Sequence, residues 1–102
     1  MPLNILGLWR DDNIEGVKQL IAKKGDLNLQ DAWGRTALML AIYHGDKNFA
    51  ETLVKGGADL NLKDKWGFNA QMYAKKYDYG NWWDRVIGEL TNKINLNGAE
   101  NE

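Results

Sequence analysis

Apolar residues fall at helical spacing in several short stretches of the chain, and polar residues, glycine or aspartate separate these stretches. Ile14, Val17, Leu20 and Ile21 are one example, because positions i, i+3, i+6 and i+7 lie on one face of a helix. A glycine after such a stretch indicates a helix end, since glycine readily adopts positive φ. The pattern predicts helices over residues 3–10, 14–23, 37–42, 47–55, 70–76 and 81–91.

The segment of residues 27–41 occurs a second time, 33 residues later, as residues 60–74. Nine of the fifteen positions are identical in the two copies. In each copy an Asp-x-x-Gly turn precedes a helix, and Thr36 or Asn69 offers a capping side chain at the helix start. Repetition at such a period indicates an array of similar structural units.

Residues 57–61 read Gly-Ala-Asp-Leu-Asn, and residues 31–41 and 64–74 share the spacing Asp-x-x-Gly-x-[Thr/Asn]-Ala-x-Met-x-Ala. These motifs resemble the ankyrin repeat, a 33-residue unit in which a β-turn precedes two antiparallel helices. The resemblance covers about residues 5–92. It implies an all-α fold, a solenoid of stacked helix-turn-helix units with β-turn or hairpin fingers and about two and a half repeats.

The resemblance also suggests how the chain is divided. We expect a single ankyrin repeat domain over residues 1–92. It would comprise an opening helical pair, a full repeat and a capping repeat, at residues 3–25, 26–58 and 59–92. Residues 93–102 are polar, and we expect them to form a flexible tail.

Some residues depart from the family pattern. Met39 and Met72 stand where ankyrin repeats usually carry a histidine that links neighbouring turns, so we expect apolar packing there instead. Gln71 replaces a core leucine, which suits a terminal repeat with one exposed face. Trp82 and Trp83 hold the apolar positions of a second helix, and we expect them in the core as a cap.

Composition narrows the range of functions. The 13 Lys and Arg residues balance the 14 Asp and Glu residues, which argues against a general nucleic-acid binder. No apolar run is long enough to cross a membrane, and we expect a cytoplasmic protein. Cysteine and serine are absent and there is one histidine, so a serine or cysteine nucleophile with a histidine base cannot be assembled. We therefore expect no enzymatic activity, no metal site and no cofactor.

The resemblance points to recognition, because the fingers and first helices of ankyrin repeats line a concave surface at which partner proteins dock. The residues at the corresponding positions are largely aromatic or cationic, as in interface hot spots. They are Trp33, Arg35, Lys65, Trp66 and Phe68 in the fingers, Tyr43, His44, Lys76 and Tyr77 at the ends of first helices, and Arg10 and Asp11 in the opening unit.

Structural roles compete with binding for some of these residues. Trp33 and Trp66 recur at one position and could simply stack finger on finger, and His44 could serve only to cap a helix end. Three functions follow in order of preference. They are a protein-binding module, monomeric when unbound; an inhibitor or immunity-type protein that occludes a partner enzyme or toxin; and an oligomerisation unit that stacks through Trp82 and Trp83.

Overall fold

Six helices make up most of the computed structural model, which describes residues 4–77 and 81–88. The first five helices are α1 Ile5–Arg10, α2 Ile14–Ala22, α3 Ala37–Tyr43, α4 Lys47–Lys55 and α5 Ala70–Lys76. Residues 81–88 are also helical and are named α6. No strand occurs among the described residues. The predicted helices are confirmed within the described ranges, whereas residues 89–91 and the predicted tail at 93–102 lie outside them.

A polar side chain caps the start of each of the first five helices. In every case the side-chain oxygen accepts a hydrogen bond from the backbone N–H three residues later, at 2.8–3.2 Å. Such a bond satisfies one of the donors that a helix start leaves unpaired. The caps at Thr36 and Asn69 confirm the sequence prediction. The capping residues are Asn4, Asn13, Thr36, Asp46 and Asn69.

The helices form two rows around one core. Helix α3 packs against α1 on one side and α5 on the other, so these three are called the inner helices. Helix α4 packs behind α3, and α2 packs against both α1 and α4. Phe49, Leu53 and Ile42 are fully buried between the rows. This stack of helical pairs is the architecture that the repeat predicted.

Trp82 and Trp83 join the core, as predicted, and are only 7% and 3% exposed. The indole N–H of Trp82 donates to Glu51 Oε1 at 2.7 Å, which links α6 to α4 of the preceding unit. Gln71 is exposed, as a polar residue in a terminal repeat should be. No helix of residues 4–77 or 81–88 is long and apolar enough to cross a membrane.

The two methionines that replace histidine behave differently. Met39 is 1% exposed, so apolar packing is confirmed there, and its Sδ accepts the N–H of Thr36 at 3.4 Å. Met72 is 43% exposed, so the same prediction is wrong for it. The difference arises because α3 lies between the other two inner helices, α1 and α5. Among the described elements, α5 has an inner helix, α3, on one side only.

Candidate functional site

The first finger, residues 31–35, is built around the carboxylate of Asp31. Its Oδ1 accepts the backbone N–H groups of Trp33 at 2.9 Å and Arg35 at 2.8 Å. Its Oδ2 accepts a hydrogen bond from Nε–H of Arg35 at 2.9 Å. Burial would raise the pKa of Asp31, but the N–H groups and the guanidinium outweigh it and hold the pKa below its usual value. The carboxylate is therefore ionised at neutral pH and fixes both the turn and the Arg35 side chain.

The second finger, residues 64–68, repeats this turn with another partner for the aspartate. Oδ1 of Asp64 accepts the backbone N–H groups of Trp66 and Phe68, both at 2.9 Å. Oδ2 accepts the hydroxyl of Tyr73 at 2.5 Å, from helix α5. Burial opposes ionisation of Asp64, but these donors prevail and lower its pKa. The pKa of Tyr73 is raised by burial and by the hydrogen bond it donates to Asp64.

Hydrogen bonds hold the two fingers side by side. The side-chain amide of Gln30 donates to the carbonyl groups of Gly34 at 2.8 Å and Lys63 at 3.0 Å. The backbone N–H of Lys65 donates to the carbonyl of Trp33 at 2.9 Å. Gly34 has a φ of +79°, and a Cβ atom there would lie 3.0 Å from Asp64 Cα. The fingers are thus in close backbone contact.

The described contacts of Trp33 and Trp66 do not include stacking on each other. The guanidinium of Arg35 lies 4.9 Å from the centre of the Trp33 ring, and the ammonium of Lys65 lies 4.9 Å from that of Trp66. The two indoles are 46% and 57% exposed. Hydrogen bonds join the fingers, and each indole lies against a cation of its own finger.

A row of aromatic rings crosses all three units along the inner helices. Neighbouring ring centres lie 5.0–6.3 Å apart, and several pairs meet edge to face, an arrangement that stabilises aromatic contacts. The row therefore gives the surface a continuous aromatic strip. In order, its members are Trp9, His44, Tyr43, Tyr77, Tyr73 and Phe68.

A groove with a volume of about 340 Å³, here called the main groove, lies between α3, α5 and the second finger. The ammonium of Lys76 lies 5.3 Å from the centre of the Phe68 ring and 5.9 Å from that of Tyr77. The walls of the main groove are thus mainly aromatic and also carry cationic side chains. The lining residues are Arg35, Leu40, Tyr43, Trp66, Phe68, Met72, Tyr73, Lys76 and Tyr77.

A second groove of about 260 Å³ lies beside α1. Arg35 and Leu40 line both grooves, so the two meet at the middle inner helix. The other lining residues are Leu6, Trp9, Arg10 and Asp31.

Most of the site residues expected from the sequence lie on or beside these grooves. Arg35, Tyr43, Trp66, Phe68, Lys76 and Tyr77 line the main groove, and Arg10 lines the second. Trp33 and Lys65 border the grooves through their contacts with Arg35 and Trp66.

Two other expected residues lie at helix ends. His44 lies in the aromatic row and is also the C-cap of α3. Asp11 is exposed and is the C-cap of α1, and it lines neither groove.

Sequence reasoning missed several groove residues, among them Leu6, Leu40 and Tyr73. Each of these precedes a residue pair at i+3 and i+4, namely Trp9 with Arg10, Tyr43 with His44, and Lys76 with Tyr77. Since positions i, i+3 and i+4 share one helical face, the helical period held the missing signal.

Stacked helical pairs with a groove along their inner helices define a helical repeat protein. A family model described as ankyrin repeats (3 copies) matches residues 8–95, and the chain belongs to the ankyrin repeat family. Ankyrin repeats are generally protein–protein interaction modules and are typically non-enzymatic. A comparison with curated proteins found no match. Within the described residues no group of three or more His, Cys, Asp or Glu side chains could hold a metal ion.

Proposed function

We propose that this chain binds a partner protein through the surface formed by its fingers and inner helices. The observation that carries the proposal is the exposure of large apolar side chains around the main groove. Trp66 is 57%, Tyr43 49% and Met72 43% exposed. Burying an apolar side chain of this size contributes roughly 1.5–3 kcal/mol. Clustered exposed apolar residues of this kind mark interaction surfaces.

The chemistry of the groove supports recognition by a protein. Tyrosine, tryptophan and arginine are enriched at interface hot spots, because they combine apolar area with polar atoms. The aspartates that support the fingers fix Arg35 and the backbone of Trp66 before any partner arrives. Preorganisation of this kind reduces the entropy lost on binding.

Oligomerisation through Trp82 and Trp83 lacks an exposed surface, because both indoles are buried. An inhibitor would use the same surface as any other protein-binding module. If the partner proves to be an enzyme or a toxin, its activity with and without this chain separates inhibition from simple binding.

Affinity capture from an extract of the source organism, followed by mass spectrometry, tests the proposal. The variant Tyr43→Ala with Trp66→Ala removes two exposed groove residues, and it should lose the partner that the parent protein retains. A matched control, Lys18→Ala with Gln19→Ala, changes two exposed residues of outer helix α2 and should retain that partner. Circular dichroism must show all three proteins folded. Equal capture by a folded groove variant would place the binding surface elsewhere.

A further inference from the structure

The two grooves together are more positively charged than the chain as a whole. Arg10, Arg35 and Lys76 line them alongside one carboxylate, Asp31. The whole chain has a formal net charge of −1. This concentration of cations at one surface favours a partner segment with the opposite charge.

The carboxylate in the grooves is already committed to donors within the chain. Asp31 accepts two backbone N–H groups and Nε of Arg35, so its charge is compensated locally. Asp64 of the second finger is 6% exposed and accepts a hydrogen bond from the Tyr73 hydroxyl. Neither aspartate is therefore free to neutralise the remaining cations.

The cations, in contrast, retain donors for a ligand. Within the part of the chain that the structure describes, Lys76 contacts aromatic rings and no carboxylate lies within ion-pair distance of it. The salt bridge of Arg35 to Asp31 uses Nε, which leaves the two terminal nitrogen atoms of the guanidinium for an incoming acceptor. Both cations belong to the main groove, and Arg35 also belongs to the second groove.

The spacing of the grooves sets the spacing of the groups that they would bind. Adjacent packed helices lie about 8–10 Å apart, and an extended chain advances about 3.3 Å per residue. A segment that crosses from one groove to the next would place one apolar residue in the second groove and another, about three positions away, in the main groove. Arg35 lies at the junction between them.

On the basis of the protein-binding function above, we propose that the grooves recognise an extended partner segment with two apolar residues about three positions apart and an aspartate or glutamate between them. The apolar side chains fill the two grooves. The carboxylate between them accepts hydrogen bonds from Arg35, and Lys76 adds a favourable charge from the rim.

Selection of a phage-displayed library of random peptides on the full chain tests this proposal without presuming a partner. The expected consensus has an acidic residue flanked by apolar residues at that spacing. Fluorescence anisotropy of a labelled consensus peptide should show affinity that falls as ionic strength rises. A basic consensus, a consensus without an acidic residue, or the absence of any binder would overturn the proposal.

A charge-reversal pair then tests the role of the groove. Lys76→Glu should weaken binding of the consensus peptide by about tenfold, and replacing the acidic residue of the peptide with glutamine should then cost less affinity in this variant than in the parent protein. Lys18→Glu makes the same charge change on outer helix α2 and should leave affinity unchanged. If Lys76→Glu does not fold, Lys76→Gln removes the charge alone and should still weaken binding.

The two proposals fail in different ways. If peptide binding is lost in Tyr43→Ala with Trp66→Ala but is insensitive to charge at Lys76, the groove binds proteins and the acidic preference is wrong. If the selected peptides bind that double variant as tightly as they bind the parent, the groove is not the binding surface.

Discussion

The two fingers share a backbone turn and differ in the side chain that donates a hydrogen bond to Oδ2 of their aspartate. Asp31 is paired with Arg35, which belongs to its own finger, whereas Asp64 is paired with Tyr73, which belongs to α5. The residues that match Arg35 and Tyr73 in the other copy are Phe68 and Leu40. Both positions thus differ between the two copies, and each finger has one donor for the second oxygen of its carboxylate.

This exchange also determines which side chains line the grooves. Because Tyr73 supplies the donor from the helix, position 68 of the second finger can be aromatic and contribute a wall of the main groove. The first finger keeps its donor at position 35, where the guanidinium also borders both grooves. One finger therefore contributes aromatic surface and the other contributes charge.

The largest difference between the fingers is expected at the glycine of each turn. Gly34 and Gly67 both have positive φ, +79° and +86°. A Cβ atom at Gly34 would lie 3.0 Å from the backbone atoms Asp64 Cα and Lys65 N, whereas at Gly67 nothing lies within 4 Å. Gly67→Ala should lower the free energy of unfolding by about 1–2 kcal/mol through backbone strain alone.

Gly34→Ala carries the same strain and must also separate the two fingers, so we expect a loss of about 3 kcal/mol. Urea denaturation of both variants measures the contrast. Equal losses would mean that the fingers can separate without cost, contrary to the close contact described above.

The next largest effect is expected at the donors of the aspartates. Tyr73→Phe leaves Oδ2 of Asp64 without its hydroxyl donor, and Asp64 is 6% exposed. A hydrogen bond to a charged group contributes about 1.5–3 kcal/mol, and we expect a loss of about 2 kcal/mol in the free energy of unfolding. Tyr43→Phe, which removes an exposed hydroxyl from the same surface, is the control and should change stability little. An equal loss in both variants would contradict a specific role for the Tyr73 hydroxyl.

The local parts of this structure could be predicted from the sequence and the long-range parts could not. The caps at Thr36 and Asn69, the Asp-x-x-Gly turns and the helical faces depend on residues within four positions of one another. The bond from Asp64 to Tyr73 spans nine residues and depends on how a finger lies on its helix. Likewise, the bond from Gln30 to Lys63 spans 33 residues and depends on the stacking of units.

A transplant of the second arrangement into the first finger tests the exchange directly. Arg35→Phe removes the donor to Asp31 Oδ2. The side chains of this pair are 31% and 19% exposed, so the loss should be about 1 kcal/mol. Adding Leu40→Tyr places a hydroxyl at the position that Tyr73 occupies in the second copy, and it should restore part of that loss. A double-mutant cycle in urea measures the coupling. Strictly additive effects would mean that the two positions are not energetically coupled.

The smallest expected effect is a difference in the response of the two fingers to alkaline pH. In acid they should behave alike, because the pKa values of Asp31 and Asp64 are both lowered. Their contribution to stability is fully present above the unfolded pKa of about 3.8 and is lost as pH falls through the folded values. The aspartate of the second finger differs in that it is bonded to a tyrosine, Tyr73 of α5, whose pKa is raised in the folded state.

The contribution of Tyr73 is therefore fully present below the ordinary tyrosine pKa of 10.0 and is lost as pH rises towards the folded value. At pH 10.0 half of this tyrosine is ionised in the unfolded state, which lowers the free energy of unfolding by about 0.4 kcal/mol. The difference in free energy of unfolding between the parent protein and Tyr73→Phe should therefore shrink by that amount between neutral pH and pH 10.0. The reason is that the variant has no hydroxyl at position 73 to ionise. Urea denaturation at the two pH values measures the gap. A gap that stays constant would show that the hydroxyl of Tyr73 is not bonded to Asp64 in solution.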